Sequence, residues 1–275
     1  MADKVKLIPR QIREAELSTA RFLSAEEQKV YEKACQKYSE KARGSLENKE
    51  SNLWKILLLN DIGIRTATLP ELECALENGL SLRGHYEDAR EVILRSKGDS
   101  YQPNDYVAKH LAKKLKIRGQ IRNPLIITNL KPVEDENSEY GLIAEPTGKT
   151  EIIEARDFNH ENNQRKFKRI NPSYSIEFDE KGDRTLYTRQ QGLSRLCLGR
   201  DLGLFSDGEG LAGSSAVGRV VVVSGEATSQ KINEYVNQLT KEKAKRDSQL
   251  TKRFDKAKQV LDTAYKQAEA ILKRK

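Results

Sequence analysis

Four leucines alternate with other residue types between positions 196 and 204, at Leu196, Leu198, Leu202 and Leu204. Successive side chains of a β-strand point to opposite faces of a sheet, so this spacing places all four leucines on one face. A face built of leucine has to be covered by other parts of the chain. The alternation therefore predicts a half-buried strand near residue 196 and identifies the side chains that belong to the core.

The residues between and after these leucines form a second set with an unusual composition. Five of its twelve members are glycine, which weakens strands, and Lys, Glu, Gln, Met and Trp are missing from it. A plain amphipathic strand followed by a glycine loop would normally carry Thr, Lys, Glu or Tyr on its solvent face. We expect the first members to lie on the exposed face, and the candidate ligand-binding residues are Cys197, Gly199, Asp201, Gly203, Phe205, Asp207, Gly208, Gly210, Gly213, Ser215, Ala216 and Val217.

The surrounding segment also differs from the rest of the chain. No lysine occurs from Gly182 to Gln230, and nine of the 17 glycines lie there. The run Arg219-Val-Val-Val-Val-Ser224 follows the candidate residues. Its β-branched side chains predict a central, buried strand.

Helical patterns dominate the first half of the chain. Ser24-Ala-Glu-Glu27 is a capping box, in which the serine hydroxyl and the glutamate carboxylate satisfy free backbone amides at the start of a helix. Asn52–Leu59 is the most apolar short run and is predicted to be core. Further helices are predicted from Thr68 to Gly79 and from Asn104 to Gly119, whereas His85–Ser96 is ambiguous.

From Pro124 onward the pattern changes to short strands separated by turn residues. Strand-length segments lie at 125–130, 140–144 and 151–155. Residues 174–178 and 185–188 flank the segment Asp179-Glu-Lys-Gly-Asp-Arg184, which predicts a β-hairpin that turns at Gly182. The chain is therefore predicted to be rich in helices over residues 52–120 and in short strands from Pro124 onward.

The last part of the chain, residues 226–275, contains no Gly or Pro. It is predicted to form one long basic helix. Lys243 and Arg246 interrupt an apolar stripe at three- and four-residue spacing. The stripe fits a coiled coil and a helix laid on the domain equally well. Its members are Ile232, Tyr235, Val236, Leu239, Leu250, Phe254, Ala257, Leu261, Ala264, Ala268 and Leu272.

The formal net charge of the 275-residue chain is +8, which suggests a nucleic-acid or acidic partner. Residues 241–275 hold 12 Lys and Arg against 5 Asp and Glu, while the other 240 residues carry 37 against 36. The excess positive charge therefore belongs to the terminal helix, and a nucleic-acid partner is a hypothesis for that helix alone.

The compartment is predicted from features that are missing. No apolar run approaches the ~18 residues that a membrane helix needs, and the start, MADKVKLIPRQIREAE, lacks a hydrophobic signal region. The three cysteines, Cys35, Cys74 and Cys197, are too scattered for a disulfide framework. We expect a cytoplasmic protein without membrane contact.

The sequence contains only incomplete matches to catalytic and nucleotide-binding motifs. Gly208-Glu-Gly-Leu-Ala-Gly213 matches the dinucleotide pattern, but the valines that follow read as a strand where the motif requires a helix. Gly148-Lys-Thr150 resembles the end of a P-loop, yet Ile143 occupies the position of the first glycine. The three histidines are isolated, without zinc-ligand spacing. We therefore predict no catalytic residue, no metal site, no cofactor and no enzymatic activity.

Residues 186–224 resemble the variable proteins of diversity-generating retroelements. The resemblance is carried by Leu-Tyr-Thr-Arg followed by Gly-Leu-Ser-Arg-Leu-x-Leu-x-Arg-x-Leu-x-Leu-x-Ser-x-x-Glu-x-Leu-Ala-x-Ser-x-x-x-Gly-Arg-Val-Val-Val-Val-Ser. The segments Gly63–Leu72, Leu82–Asp88 and Ser138–Leu142 are similar to those of family members from small-genome prokaryotes. The resemblance covers roughly residues 53–225.

This resemblance implies both a mechanism and a fold. In the family, a reverse transcriptase miscopies a template at adenines, so that asparagine codons become codons ending in C or T. Such codons cannot encode Lys, Glu, Gln, Met or Trp, and all twelve candidate residues obey that restriction. The implied fold is an α+β, C-type-lectin-like domain of the formylglycine-generating-enzyme type over residues 52–225, with a helical N-terminal extension over 1–51. The variable segment 196–217 would be displayed on its ligand-binding face.

Two functions remain open at this point. The first is a non-enzymatic protein that binds an unknown protein or other macromolecule through the hypervariable surface. The second is a nucleic-acid-binding or coiled-coil adaptor protein that acts through the terminal helix. In that case the phosphate contacts would come from Lys241, Lys243, Lys245, Arg246, Lys252, Arg253, Lys256 and Lys258.

Overall fold

The computed structural model describes residues 19–47, 50–224 and 229–272, with the backbone alone for 19, 229–243 and 266–272. These residues form an α+β architecture. The helices are α1 (Ala25–Cys35), α2 (Glu40–Leu46), α3 (Leu53–Asp61), α4 (Leu69–Glu77), α5 (Asp105–Lys114) and α6 (Ser229–Leu272). The strands are β1 (Thr19–Phe22), β2 (Tyr86–Arg95), β3 (Leu125–Ile127), β4 (Leu130–Glu134), β5 (Leu142–Pro146), β6 (Ile152–Glu154), β7 (Lys166–Ile170), β8 (Ile176–Phe178), β9 (Arg184–Tyr187), β10 (Gly192–Leu198), β11 (Leu204–Gly208), β12 (Gly218–Arg219) and β13 (Val221–Ser224).

The main sheet runs in the order β6-β3-β2-β10-β11-β9-β7-β8, with β12 also pairing with β2. Strand β2 lies between two hydrophobic clusters, because Val92 and Leu94 pack in one cluster and Ile93 packs in the other. The first cluster contains Trp54 of α3, and the second contains Leu196 of β10. The main sheet is therefore covered on both faces at its centre.

Strand β2 occupies the segment that the sequence left ambiguous. Four of its five charged residues, Glu87, Asp88, Glu91 and Arg95, are buried. A strand with charges on both faces shows neither the alternation of a half-buried strand nor the apolar run of a buried one. Because of these charged residues, the hydrophobic pattern of the sequence does not identify the strand.

The helix starts follow the sequence prediction. Ser24 caps α1 and Thr68 caps α4, and in both capping boxes the glutamate three residues later bonds back to the backbone amide of the cap. The apolar run at residues 53–59 forms α3 and is buried throughout. Helices α1 and α2 contribute Tyr31 and Leu46 to the same cluster as α3, so residues 25–46 pack as part of the core.

The predicted β-hairpin around Gly182 is wrong. Strands β8 and β9 do not pair with each other, because β7 lies between them and pairs with both. The turn after β8 passes close to β7: the amide of Asp179 donates to the carbonyl oxygen of Lys166 at 3.1 Å. A Cβ atom at Gly182 would clash with the backbone of Phe167, so the glycine is required for this close approach.

The valine run is buried as predicted, but it does not lie at the centre of the main sheet. β13 pairs with β1 in a separate two-stranded sheet, from Thr19–Ser224 to Phe22–Val221. An isolated bridge between Thr66 and Val222 covers its other edge. The burial of Val221 and Val223 comes from packing against the second cluster.

The chain divides into two compact units, residues 1–226 and 227–275. The second unit contains the predicted long helix, α6, whose 44 residues span about 66 Å. Every side chain of residues 244–265 is exposed. Among the described residues, no helix has the length and apolar character to cross a membrane.

Candidate functional site

The alternating leucines are buried as predicted. Leu196, Leu198 and Leu204 are fully buried, and Leu202 is 5% exposed. All four belong to the second hydrophobic cluster. Leu202 lies in the turn between β10 and β11 with a positive φ of 65°, so its burial comes from the turn and not from strand alternation.

The prediction of an exposed opposite face is wrong for Cys197, which is 3% exposed. Its strand, β10, is central, and Cys197 pairs with Asp88 of β2 on one side and Phe205 of β11 on the other. Burial raises the pKa of the Cys197 thiol well above its usual value, so the group is held neutral. Gly199 and Gly203 are buried as well.

The remaining candidate residues reach the surface. Asp201, Gly210, Ser215 and Ala216 are exposed, and Phe205, Asp207, Gly208, Gly213 and Val217 are half-buried. We call residues 209–217 the display loop, and we call Asp201, Phe205, Asp207 and the display-loop residues other than the buried Leu211 together the display face.

An aromatic pair forms the sheet part of the display face. Phe205 and Tyr187 are neighbours on β11 and β9, and their rings stack at 4.6 Å between centroids and 17° between planes. Gly199 makes this arrangement possible, because a Cβ atom there would clash with the Phe205 ring. A stacked aromatic pair offers a broad, rigid contact area at low cost in side-chain entropy.

The display loop is held by bonds to its backbone. Arg195 Nη1 donates to the carbonyl oxygen of Gly213 at 2.5 Å, and Asn104 Nδ2 donates to that of Glu209 at 2.8 Å. The amide of Leu53 donates to the carbonyl oxygen of Leu211 at 3.3 Å. The Asn104 carboxamide is fixed in turn by the Tyr140 hydroxyl at 2.7 Å. All four anchoring residues lie outside the candidate set.

Arg195 is itself held in place by Asp88 and Tyr86. Its Nη1 lies 3.3 Å from Oδ1 of the fully buried Asp88, and its guanidinium lies 5.1 Å from the centre of the Tyr86 ring. Asp88 also accepts from the Ser51 hydroxyl at 2.8 Å and from the Tyr86 hydroxyl at 3.0 Å. Burial raises the pKa of Asp88, while Arg195 and these hydrogen bonds oppose the rise.

Two further buried arginines hold the strands and turn that carry the display face. Arg95 donates to the carbonyl oxygen of Ser206 at 2.9 Å, and burial lowers its pKa to about 9. Arg184 donates to both carboxylate oxygens of Glu73, at 2.6 and 2.8 Å, and to the carbonyl oxygen of Leu202 at 2.9 Å. The guanidinium groups again bind backbone oxygens of the segment and not its variable side chains.

The dinucleotide-like motif does not have the structure that its chemistry requires. Gly208 ends β11, a turn follows at residues 211–212, and the chain then enters β12 without a helix. Gly148 lies in a turn closed by the Thr150 amide and the Thr147 carbonyl oxygen at 3.2 Å. His110 is half-buried, 3.3 Å from Glu145. Within residues 19–47, 50–224 and 229–272, no group of three His, Cys, Asp or Glu side chains could hold a metal ion.

Several residues that shape the display face are missing from the sequence prediction. Arg195 could have been found, since its position two residues before Cys197 places both on one side of the strand. Tyr187, Asn104 and Tyr140 reach the segment only through the tertiary fold. Comparison with models of protein families, with curated proteins and with solved structures finds no match to this chain.

Proposed function

We propose that this chain is a non-enzymatic binding protein whose display face is diversified, as in the variable proteins of diversity-generating retroelements. Its unidentified ligand is a protein or another macromolecule, recognised by a C-type-lectin-like domain. The α+β architecture and the exposure of Asp201, Gly210, Ser215 and Ala216 support the proposal.

The observation that carries the proposal is the backbone anchoring of the display loop. Arg195, Asn104 and Leu53 bind carbonyl oxygens, which every residue type possesses. Side chains at Gly210, Ser215 or Ala216 can therefore change without removing an anchor. A scaffold that accepts many sequences at one surface needs this separation between the groups that hold the loop and the groups that contact ligand.

The buried leucines supply the second half of this separation. Leu196, Leu198 and Leu204 alternate with candidate residues along β10 and β11, and Leu202 lies in the turn between these strands. All four leucines pack in the core. Replacing a surface residue costs little stability, whereas replacing a buried leucine by alanine costs about 2–5 kcal/mol. Diversification is therefore expected at the candidate positions that reach the surface and not at the buried leucines.

The residues that reach the surface also indicate how binding energy would arise in this sequence. Phe205 and its neighbour Tyr187 supply apolar contact area, and Asp201 and Asp207 supply charge. Aromatic residues dominate the energetics of many interfaces. The glycines at 208, 210 and 213 leave the remainder of the surface shallow.

The decisive test of the retroelement origin is the DNA around the gene. We expect a near-copy of the segment that encodes residues 186–224, mismatched mainly at adenines, together with a reverse-transcriptase gene. A locus that lacks both would overturn this origin, whatever the protein binds.

A library experiment tests the scaffold independently. Asp201, Phe205, Asp207, Gly210, Ser215 and Ala216 are randomised on the surface of a display host, and the folded fraction is scored by protease resistance. The matched control randomises Leu196, Leu198, Leu202 and Leu204. We expect most clones of the first library and few of the control to stay folded. Equal losses in both libraries would contradict the proposed separation.

A further inference from the structure

Helix α6 carries a row of large apolar side chains that face solvent. Leu250 is 63% exposed, Phe254 70%, Val260 64%, Leu261 71% and Tyr265 74%. An exposed contiguous apolar surface of this kind marks an interaction site. The question is which partner fits it.

The spacing of the row is that of a coiled coil. Leu250, Phe254, Ala257, Leu261 and Ala264 follow one another at intervals of four, three, four and three residues. In heptad notation, Phe254 and Leu261 are a positions, and Leu250, Ala257 and Ala264 are d positions. Large residues occupy the a positions, and alanines occupy the d positions between and after them.

We propose that the partner is α6 of a second copy of this chain, packed antiparallel about a two-fold axis near Gln259. In an antiparallel coiled coil each a residue faces a d residue of the partner helix. This register places Phe254 opposite Ala264 of the second copy and Ala257 opposite Leu261. Each layer then combines one large and one small side chain, which fills the space evenly.

The residues beside the seam fit the same arrangement. Val260 lies at a g position next to the axis, where it meets Val260 of the second copy. Tyr265 lies at an e position and is placed opposite Thr251. The register therefore covers all of the large exposed apolar residues on this stretch of α6, including the two that lie outside the a and d positions.

Charge repulsion favours one of the two possible directions of the partner helix over the other. A parallel pair would place Arg253 beside Lys258 of the other copy, twice, and it would stack Phe254 on Phe254 and Ala257 on Ala257. The antiparallel pair leaves a single like-charge contact, between Lys258 and its own copy. Like charges across such a seam are destabilising, so the antiparallel direction is favoured.

Nucleic acid is the competing occupant, because residues 241–275 carry 12 basic residues against 5 acidic ones. Phosphate contacts need the basic side chains but leave the apolar row uncovered. The second copy covers that row, and the other faces of the helix keep their lysines in water. With only about three heptads in the seam, we expect a weak dimer.

Sedimentation of the full chain over about 1–100 μM tests the proposal. We expect a monomer–dimer equilibrium that Phe254→Ser and Leu261→Ser each weaken at least tenfold. Gln259→Ser, on the outer face of the same helix, is the matched control and should leave dimerisation unchanged. Lys258→Gln should strengthen the dimer because it removes the like-charge contact at the axis. A monomer over the whole range, or a dimer that the two serine variants leave intact, would overturn the proposal.

Disulfide trapping tests the direction of the helices. Val260→Cys should cross-link to its own copy under a mild oxidant, whereas Ala257→Cys should not. In a parallel pair Ala257 would instead lie opposite itself. Cross-linking of Ala257→Cys without cross-linking of Val260→Cys would therefore refute the antiparallel register.

Discussion

Arg195 Nη1 donates to the carbonyl oxygen of Gly213 at 2.5 Å, across 18 residues of chain. The same guanidinium nitrogen lies 3.3 Å from the buried carboxylate of Asp88. One side chain thus connects a charge in the core to the backbone of the display loop. The conformation of the loop is set by groups that diversification at the candidate positions would leave unchanged.

Replacing Arg195 by Leu should loosen the display loop and destabilise the domain. The variant leaves Asp88 buried without its cationic partner, and such a loss costs about 3–5 kcal/mol. Urea denaturation measures the stability, and amide hydrogen exchange of residues 209–214 measures the loop. The control is Arg83→Leu, which breaks the exposed ion pair with Asp183 and should cost no more than about 1 kcal/mol. Unchanged exchange in the Arg195 variant would refute its role as an anchor.

Positions 199 and 205 should depend on each other. A Cβ atom at Gly199 would clash with the Phe205 ring, so Gly199→Ser should cost about 1–3 kcal/mol through overpacking. In a Phe205→Ser background the same change should cost well under half as much. A double-mutant cycle measures the coupling free energy. Gly210→Ser is the control, since a Cβ atom there meets only ordinary contacts at 3.7 Å. Additive costs at 199 and 205 would contradict this prediction.

Glu91 should make the protein less stable as the pH rises. Burial raises the pKa of its carboxyl group from 4.5 to about 7, although the Tyr174 hydroxyl and the Leu69 amide donate to it. A raised pKa means that the folded state holds more protons than the unfolded state between pH 4.5 and 7. The contribution is therefore complete below pH 4.5 and is lost as the pH rises through 7.

Glu91→Gln removes this titration and keeps an oxygen acceptor. We expect the variant to gain stability relative to the native chain above pH 7, by up to about 3 kcal/mol. Denaturation midpoints between pH 5 and 8 measure the difference. Some pH dependence should remain, because burial also raises the pKa of Glu87 to about 7. An identical pH profile for the two proteins would show that Glu91 is ionised throughout.

Replacing only one partner of the buried ion pair Glu73–Arg184 should lower the stability of the protein strongly. Each group is at most 5% exposed, so Glu73→Leu or Arg184→Leu leaves one buried charge alone and should cost about 3–5 kcal/mol. The double variant should lose less stability than the worse single variant. Thermal or urea unfolding of the three proteins measures this, and simple additivity would contradict it.

The features predicted correctly from the sequence are those that local chemistry determines. The capping boxes at Ser24 and Thr68, the apolar run that forms α3 and the burial of the alternating leucines each depend on a few neighbouring residues. The prediction failed where distant strands decide the outcome. β7 separates β8 from β9, and β2 buries four charged residues that pair with side chains far along the chain.

The candidate site divides in the same way. Alternation identified the strands of the display face, but it could not tell that β10 is central, and so Cys197 was wrongly expected to be exposed. The anchors of the display loop come from Leu53, Asn104 and Tyr140, which lie 71 or more residues away in sequence. No short-range pattern contains that information.

The pairing of β1 with β13 has a consequence for incomplete chains. The strand Thr19–Phe22 cannot pair until its partner strand, Val221–Ser224, has left the ribosome. Every candidate residue is translated before then. A polypeptide that ends early inside the segment lacks Val221 and Val223, so the second cluster stays open. We therefore expect truncated products, which lack this small sheet, to be more sensitive to proteolysis than chains that close it.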